Sequence, residues 1–116
     1  MSRMNASDQK SYSTFFQQGT RFQSMQWVPV TAEALDPLAP TFLFPNPAGA
    51  INLKMPTSNA DRKGLVFVFC NLSGNVITLQ TDGGAGFTTA ITVAANGATR
   101  VVCTGNATQA LGWVVW

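Results

Sequence analysis

Histidine is missing from this chain altogether, and charged side chains make up only 10% of its 116 residues. Without an imidazole, the side chain best suited to general base work near neutral pH is absent. Asp36, Asp61, Asp82 and the thiols of Cys70 and Cys103 remain as candidates. They are scattered, and neither a nucleophile beside a base nor a carboxylate pair stands out. Solvated turn carboxylates are the plainer reading of the three acids, because Asp favours turns. No enzyme is expected. Two cysteines with no histidine and no CxxC spacing cannot complete a zinc set, so neither a metal nor another cofactor is expected. A bridge between Cys70 and Cys103 needs neighbouring strands, while a cytoplasmic origin favours free, buried thiols.

Charge is scarce in a second sense. The formal net charge is +2, and the basic residues stand singly except for Arg62 and Lys63. A nucleic-acid surface needs a stripe that neutralises several phosphates, usually with stacking aromatics among it, and none is present. Long apolar runs are also lacking. The longest, Leu65 to Cys70, falls far short of the roughly 20 residues that span a bilayer. The opening MSRMNASDQK is polar and has no apolar h-region, so synthesis in a cytoplasm without a secretory signal is expected. The Asn-x-Ser/Thr patterns at Asn5, Asn71 and Asn106 then carry no glycosylation reading.

Apolar residues are plentiful, at 46%. An ordinary domain carries about 25% charge, so solubility here rests on Thr, Asn, Gln, Ser and Gly. A surface of that kind can close on a partner without stranding buried ions, which points to assembly. At this length one core is expected.

The sequence divides near residue 48. Residues 1–48 hold Pro29, Pro37, Pro40, Pro45 and Pro47, which exclude a long helix or a central strand and predict an extended N-terminal arm. Short edge strands are expected near Gln26 to Thr31 and Thr41 to Phe44, with one helical turn over Ala32 to Leu35. The arm also carries Phe15, Phe16, Phe22 and Trp27, too many rings for an ordinary disordered tail. Either they complete the chain's own core, or they anchor in pockets on a neighbouring subunit.

Residues 49–116 read as short β runs separated by turn residues at intervals typical of sandwiches and barrels. The runs are Ala50 to Met55, Leu65 to Cys70, Val76 to Thr81, Phe87 to Val93, Thr99 to Thr104 and Leu111 to Trp116. The Asn96-Gly97 pair predicts that the strands on either side of it form an antiparallel hairpin. The glycine-rich loop from Thr81 to Gly86 is not followed by a helical pattern, so it reads as a hairpin loop rather than a phosphate cradle. Ile77 and Leu79 should share one face, and Thr78 and Gln80 the other. Leu65 to Cys70 and Trp113 to Trp116 lack such alternation, which predicts cover on both faces. Phe67, Phe69, Trp113 and Trp116 are therefore the expected oligomer interface. The fold class that follows is all-β, a small antiparallel β-sandwich or jelly-roll-like domain behind a Pro-rich arm.

Three stretches carry a resemblance: Asn71-Leu72-Ser73-Gly74-Asn75-Val76-Ile77-Thr78-Leu79, then Thr92-Val93-Ala94-Ala95-Asn96-Gly97-Ala98-Thr99, then Gly112-Trp113-Val114-Val115-Trp116. In texture this half of the chain is similar to surface modules of tailed bacteriophages, above all capsid decoration (cement) proteins, and to head and tail fibre domains. The resemblance implies a virion protein on the capsid surface, commonly a homotrimer, whose partner is the major capsid protein. It implies no small-molecule substrate and no catalytic residue. A fibre or spike module that binds a host receptor or glycan is the alternative. The chain lacks a repetitive shaft, and its turns are poor in the Trp and Tyr that stack on sugars, Tyr12 being its only tyrosine.

Overall fold

The computed structural model describes residues 33–116 and, from the preceding segment, the backbone strand Ser24–Trp27. Among the described residues there are nine strands: β1 (Ser24–Trp27), β2 (Glu33–Ala34), β3 (Phe42–Pro45), β4 (Ile51–Lys54), β5 (Val66–Cys70), β6 (Ile77–Gln80), β7 (Ile91–Val93), β8 (Ala98–Cys103) and β9 (Trp113–Val115). Two single 3-10 turns, Ala60–Arg62 and Gln109–Leu111, are the helical elements among the described residues. The all-β class expected from the sequence is thus found.

The strands form two sheets, one ordered β1-β3-β5-β8-β9 and the other β2-β4-β6-β7. From β1 to β6 the chain alternates between them, and each strand pairs in parallel with the previous strand of its own sheet. Phe42 thus pairs with Val68, and Ile51 with Ile77, each 26 residues further on. A parallel pair needs a crossover connection, and here the crossover is the strand in the opposite sheet. The chain winds as a flattened coil. It then reverses: β7 runs antiparallel to β6, β8 antiparallel to β5, and β9 antiparallel to β8. The sheets are therefore mixed where antiparallel ones were expected.

Three further expectations change. The strands flanking Asn96-Gly97 do not pair with each other, since β7 belongs to the four-stranded sheet and β8 to the five-stranded one. The turn itself is tight: Asn96 has φ 56, and the Gly97 amide donates to the Ala94 carbonyl. It carries the chain from one sheet to the other. Glu33–Ala34 is strand where a helical turn was expected, and the Leu35 amide donates to the Lys54 carbonyl. The stretch before residue 48 is not a separate arm among the described residues. In it β3 sits between β1 and β5, and Leu43 lies in the core with no exposure. Pro45 is tolerated because it closes β3, where the ladder ends.

The core fills the space between the sheets, with Leu43, Phe67, Phe69, Val101, Cys103 and Trp113 from one side and Leu53, Ile77, Leu79, Ile91 and Val93 from the other. Period-two alternation puts these residues inside. In β4, for example, Ile51 and Leu53 are buried while Asn52 and Lys54 are exposed. Ile77 and Leu79 share the inner face as the sequence predicted. Burying a large apolar side chain contributes about 1.5–3 kcal/mol, so the three rings Phe67, Phe69 and Trp113 are a large fraction of net stability.

One loop is fastened to the C-terminal hairpin with little room to spare. Ser58 is buried; its amide donates to Gln109 Oε1 at 2.7 Å, and Gln109 Nε2 donates back to the Ser58 carbonyl at 2.9 Å. A Cβ on Gly112 would lie 2.5 Å from the Ser58 Cβ and 3.1 Å from the Gln109 carbonyl oxygen. Gly112→Ala therefore forces this clamp apart. It is expected to cost about 1–3 kcal/mol, as overpacking does, read as a lower urea midpoint at unchanged slope.

Candidate functional site

The residues proposed as chemical candidates do not gather. Asp36 accepts from the Leu38 amide at 2.8 Å in a local turn, and Asp82 Oδ2 accepts from the Thr57 hydroxyl at 2.8 Å. Asp61 sits in the first 3-10 turn, capped by Asn59. The loop after β6 is closed on itself: the Thr81 amide donates to the Ala85 carbonyl, the Ala85 amide donates to Thr81 Oγ1, and Gly84 has φ 83. It leads to β7, not to a helix. Among the described residues no three His, Cys, Asp or Glu side chains approach closely enough to hold a metal ion.

Both cysteines are free thiols. Cys103 points inward from β8, and its Sγ donates to Ser58 Oγ at 3.3 Å. Cys70 is half-buried on the outer face of β5, opposite Ala98 in the ladder. The two thiols lie on opposite faces of one sheet, which excludes a bridge.

Three of the four rings assigned to an oligomer interface are taken up by the chain's own core. Phe67 and Phe69 have no exposure and Trp113 has 2%. Phe67 packs on Phe69 with centroids 6.4 Å apart and stacks on Trp113 at 5.7 Å, while Trp113 Nε1 donates to the Pro56 carbonyl at 2.9 Å. These rings are not available to a partner without unfolding the domain. Trp116 alone is outward, half exposed beneath the Arg100 guanidinium, which lies 4.9 Å from the ring centroid and donates to the Trp116 carbonyl at 2.9 Å. The arm residues Phe15, Phe16 and Phe22 lie outside the described residues, and Trp27 is described only as backbone in β1.

What the structure adds is a contrast between the two outer faces. On the four-stranded sheet the outward positions are Ala34, Asn52, Lys54, Thr78, Gln80 and Thr92, polar apart from Ala34. On the five-stranded sheet, among the strands whose side chains are described, they are Phe42 and Phe44 of β3, then Val66, Val68 and Cys70 of β5, then Val102 of β8, all half-buried, with Ala98 and Arg100 of β8 and Val114 of β9 exposed. Arg100 is the charged residue among them. A signal for this face exists in the sequence. In Val66-Phe67-Val68-Phe69-Cys70 the larger rings occupy one parity and the smaller side chains the other, and the larger set goes inside.

A second feature lies beside β7 and β9, which end their respective sheets among the described residues. A groove of about 290 Å³ opens there, lined by Ile91, Trp113 and Val115 with Thr88, Ala110 and Leu111 at its rim. Leu111, Val114, Val115 and Trp116 are all 42–53% exposed. No protein-family model matches this chain, and no curated protein or solved structure shows significant similarity to it.

Proposed function

We propose that this chain is a non-enzymatic structural protein of a bacteriophage particle, a decoration module that binds the capsid surface as a homo-oligomer. The observation that supports it most directly is the placing of exposed apolar side chains. Four of the large ones, Leu111, Val114, Val115 and Trp116, cluster at the C-terminal edge strand. Single exposed apolar residues are ordinary, but a contiguous group on an edge marks an interaction surface. The two-sheet, sandwich-like body and the scarcity of charge fit the same reading, since both suit close packing on a protein lattice. The resemblance in the turns and the aromatic end strand supplies the phage setting, and the major capsid protein is the partner it implies. The rings Phe15, Phe16, Phe22 and Trp27 belong to this proposal as a second grip on the capsid.

Co-sedimentation with capsids stripped of the protein tests it. Leu111→Lys with Val115→Lys places two cations on the apolar edge, where substitution of exposed positions changes stability by only about 0.5 kcal/mol. The double variant should keep its fold and lose capsid binding by tenfold or more. A folded variant that binds like the wild type, or a wild type that never binds, defeats the reading. Mass spectrometry of purified particles adds the copy number, hundreds for a decoration protein and a handful for a fibre.

A further inference from the structure

We infer that Asn96-Gly97 is a site of spontaneous deamidation, and that the turn it forms between the two sheets is the gate that sets the rate. The inference stands apart from the decoration reading and needs neither a partner nor a capsid.

The two residues meet the chemical requirements. Asn96 is exposed, and its carboxamide makes no hydrogen bond among the described residues. Gly97 follows it with no side chain to shield the backbone nitrogen, and this is the single Asn-Gly pair of the chain. In the reaction the Gly97 amide gives its proton to water or hydroxide, and its nitrogen bonds to Asn96 Cγ. The bond from Cγ to the side-chain nitrogen breaks, and ammonia leaves with a proton supplied by solvent. The product is a five-membered succinimide. Water then opens the ring. Cleavage of the new bond gives aspartate, whereas cleavage of the original peptide bond gives isoaspartate, in which the main chain runs through the side-chain carbon.

In the folded turn the nucleophile is occupied. The Gly97 amide donates to the Ala94 carbonyl at 3.0 Å, and the Asn96 amide donates to the Ser73 carbonyl at 2.9 Å. Asn71 adds two bonds: its amide donates to the Gly97 carbonyl at 2.8 Å, and its Nδ2 donates to the Ala94 carbonyl at 3.2 Å. The turn is packed as well as bonded, since a Cβ on Gly97 would lie 3.2 Å from the Ala94 carbonyl oxygen. Ring closure therefore waits for the turn to open, and buried Asn71 holds it shut. Local openings of this kind cost less than global unfolding.

The two products differ in their effect. Aspartate tolerates the left-handed backbone that Asn96 adopts, with φ 56. Isoaspartate puts an additional atom into the main chain where β7 of one sheet passes to β8 of the other, and so moves the bonds to Ser73 and Asn71 out of register. Deamidation thus loosens the joint between the sheets as the protein ages.

Incubating the full-length protein at mildly alkaline pH, with ion exchange and peptide mapping by mass spectrometry, tests this. Acid should accumulate at residue 96 between ten and a hundred times more slowly than in a free peptide of residues 92–100, and urea should bring the two rates together. Asn71→Ala should raise the folded rate several-fold. Ser73→Ala removes the hydroxyl bonded to Asn71 Oδ1; it should give a smaller rise and serves if Asn71→Ala fails to fold. Gly112→Ala strains the distant Ser58 clamp and should leave the rate near that of the wild type. Once separated, the isoaspartate form should melt below the aspartate form. A folded chain without acid at residue 96 after the unfolded chain has converted completely overturns the site. A folded rate equal to that of the peptide overturns the gate, and so does a rate raised as much by Gly112→Ala as by the Asn71 or Ser73 variant. Equal melting of the two forms overturns the loosening of the joint.

Discussion

Replacing Trp113 by Ala should lower the free energy of unfolding by about 3–5 kcal/mol, the cost of deleting a buried aromatic ring. Trp113 sits at the strand end where the C-terminal hairpin meets the core. Its ring stacks on Phe67 at 5.7 Å, its backbone pairs with Cys103, and its indole N–H satisfies the Pro56 carbonyl. Truncation empties the space beside Phe67 and strands that carbonyl as well. A domain of this size holds about 5–15 kcal/mol in total, so the variant is close to the limit of folding. Its melting temperature by far-ultraviolet circular dichroism should fall by about 12–20 °C, at about 4 °C per kcal/mol. Trp113→Phe separates the two contributions. It keeps most of the stacking and loses the indole bond, so it should cost about 1–3 kcal/mol, the penalty of an unsatisfied buried acceptor. Equal losses in the two variants would mean that the ring's packing contributes little.

The positions of the strands were legible because period-two alternation and turn residues are local signals. Val66–Cys70 and Ile77–Gln80 fall within the runs marked out from the sequence pattern, and Ala98–Cys103 overlaps the run from Thr99 to Thr104, starting one residue earlier. Their partners were not legible. Pairing β4 with β6 in parallel depends on a 26-residue offset and on an intervening strand in the other sheet, and no local pattern encodes either. The Asn96-Gly97 turn shows the same limit. Its backbone geometry is local and came out tight, yet whether the flanking strands bond to each other is decided by what else each can pair with. Here β6 and β5 take them. Prolines misled in one place, because Pro45 at the end of β3 removes a donor where the ladder stops and so does not push the strand to the sheet edge.

The apolar outer face of the five-stranded sheet was half legible. The run from Leu65 to Cys70 does carry an apolar set on each face, and the expectation of cover on both sides followed from that. The choice of face was the step that local sequence could not make. Phe67 and Phe69 are the larger side chains and fill the wide gap between sheets, leaving Val66, Val68 and Cys70 outside. Phe42 and Phe44 could not be assigned to the same surface without knowing that β3 lies beside β5.

Asn71 supports the other large prediction, because it is the buried polar residue that ties the two sheets' connections together. Asn71 is 3% exposed. Its Nδ2 donates to the Asn75 carbonyl at 2.6 Å and to the Ala94 carbonyl at 3.2 Å, and its Oδ1 accepts from the Ser73 amide and the Ser73 hydroxyl. Its own amide donates to the Gly97 carbonyl, which fastens the end of β5 to the turn before β8. An amide matches this set because it offers two donors on one side and an acceptor on the other. Asn71→Asp keeps the shape but turns an acceptor toward two carbonyl oxygens. Leaving those acceptors unpaired and burying a charge should cost about 3–5 kcal/mol at neutral pH. Burial and the two carbonyl dipoles disfavour the ionised form, so the introduced carboxyl has a raised pKa in the folded state. The folded state then binds the extra proton more readily than the unfolded one, and the lost stability returns as pH falls. Urea titrations from pH 7 to pH 4 should show the gap between variant and wild type narrowing. A gap of constant size would mean that the carboxylate escapes to solvent and that the Asn71 bonds are not what holds the turn.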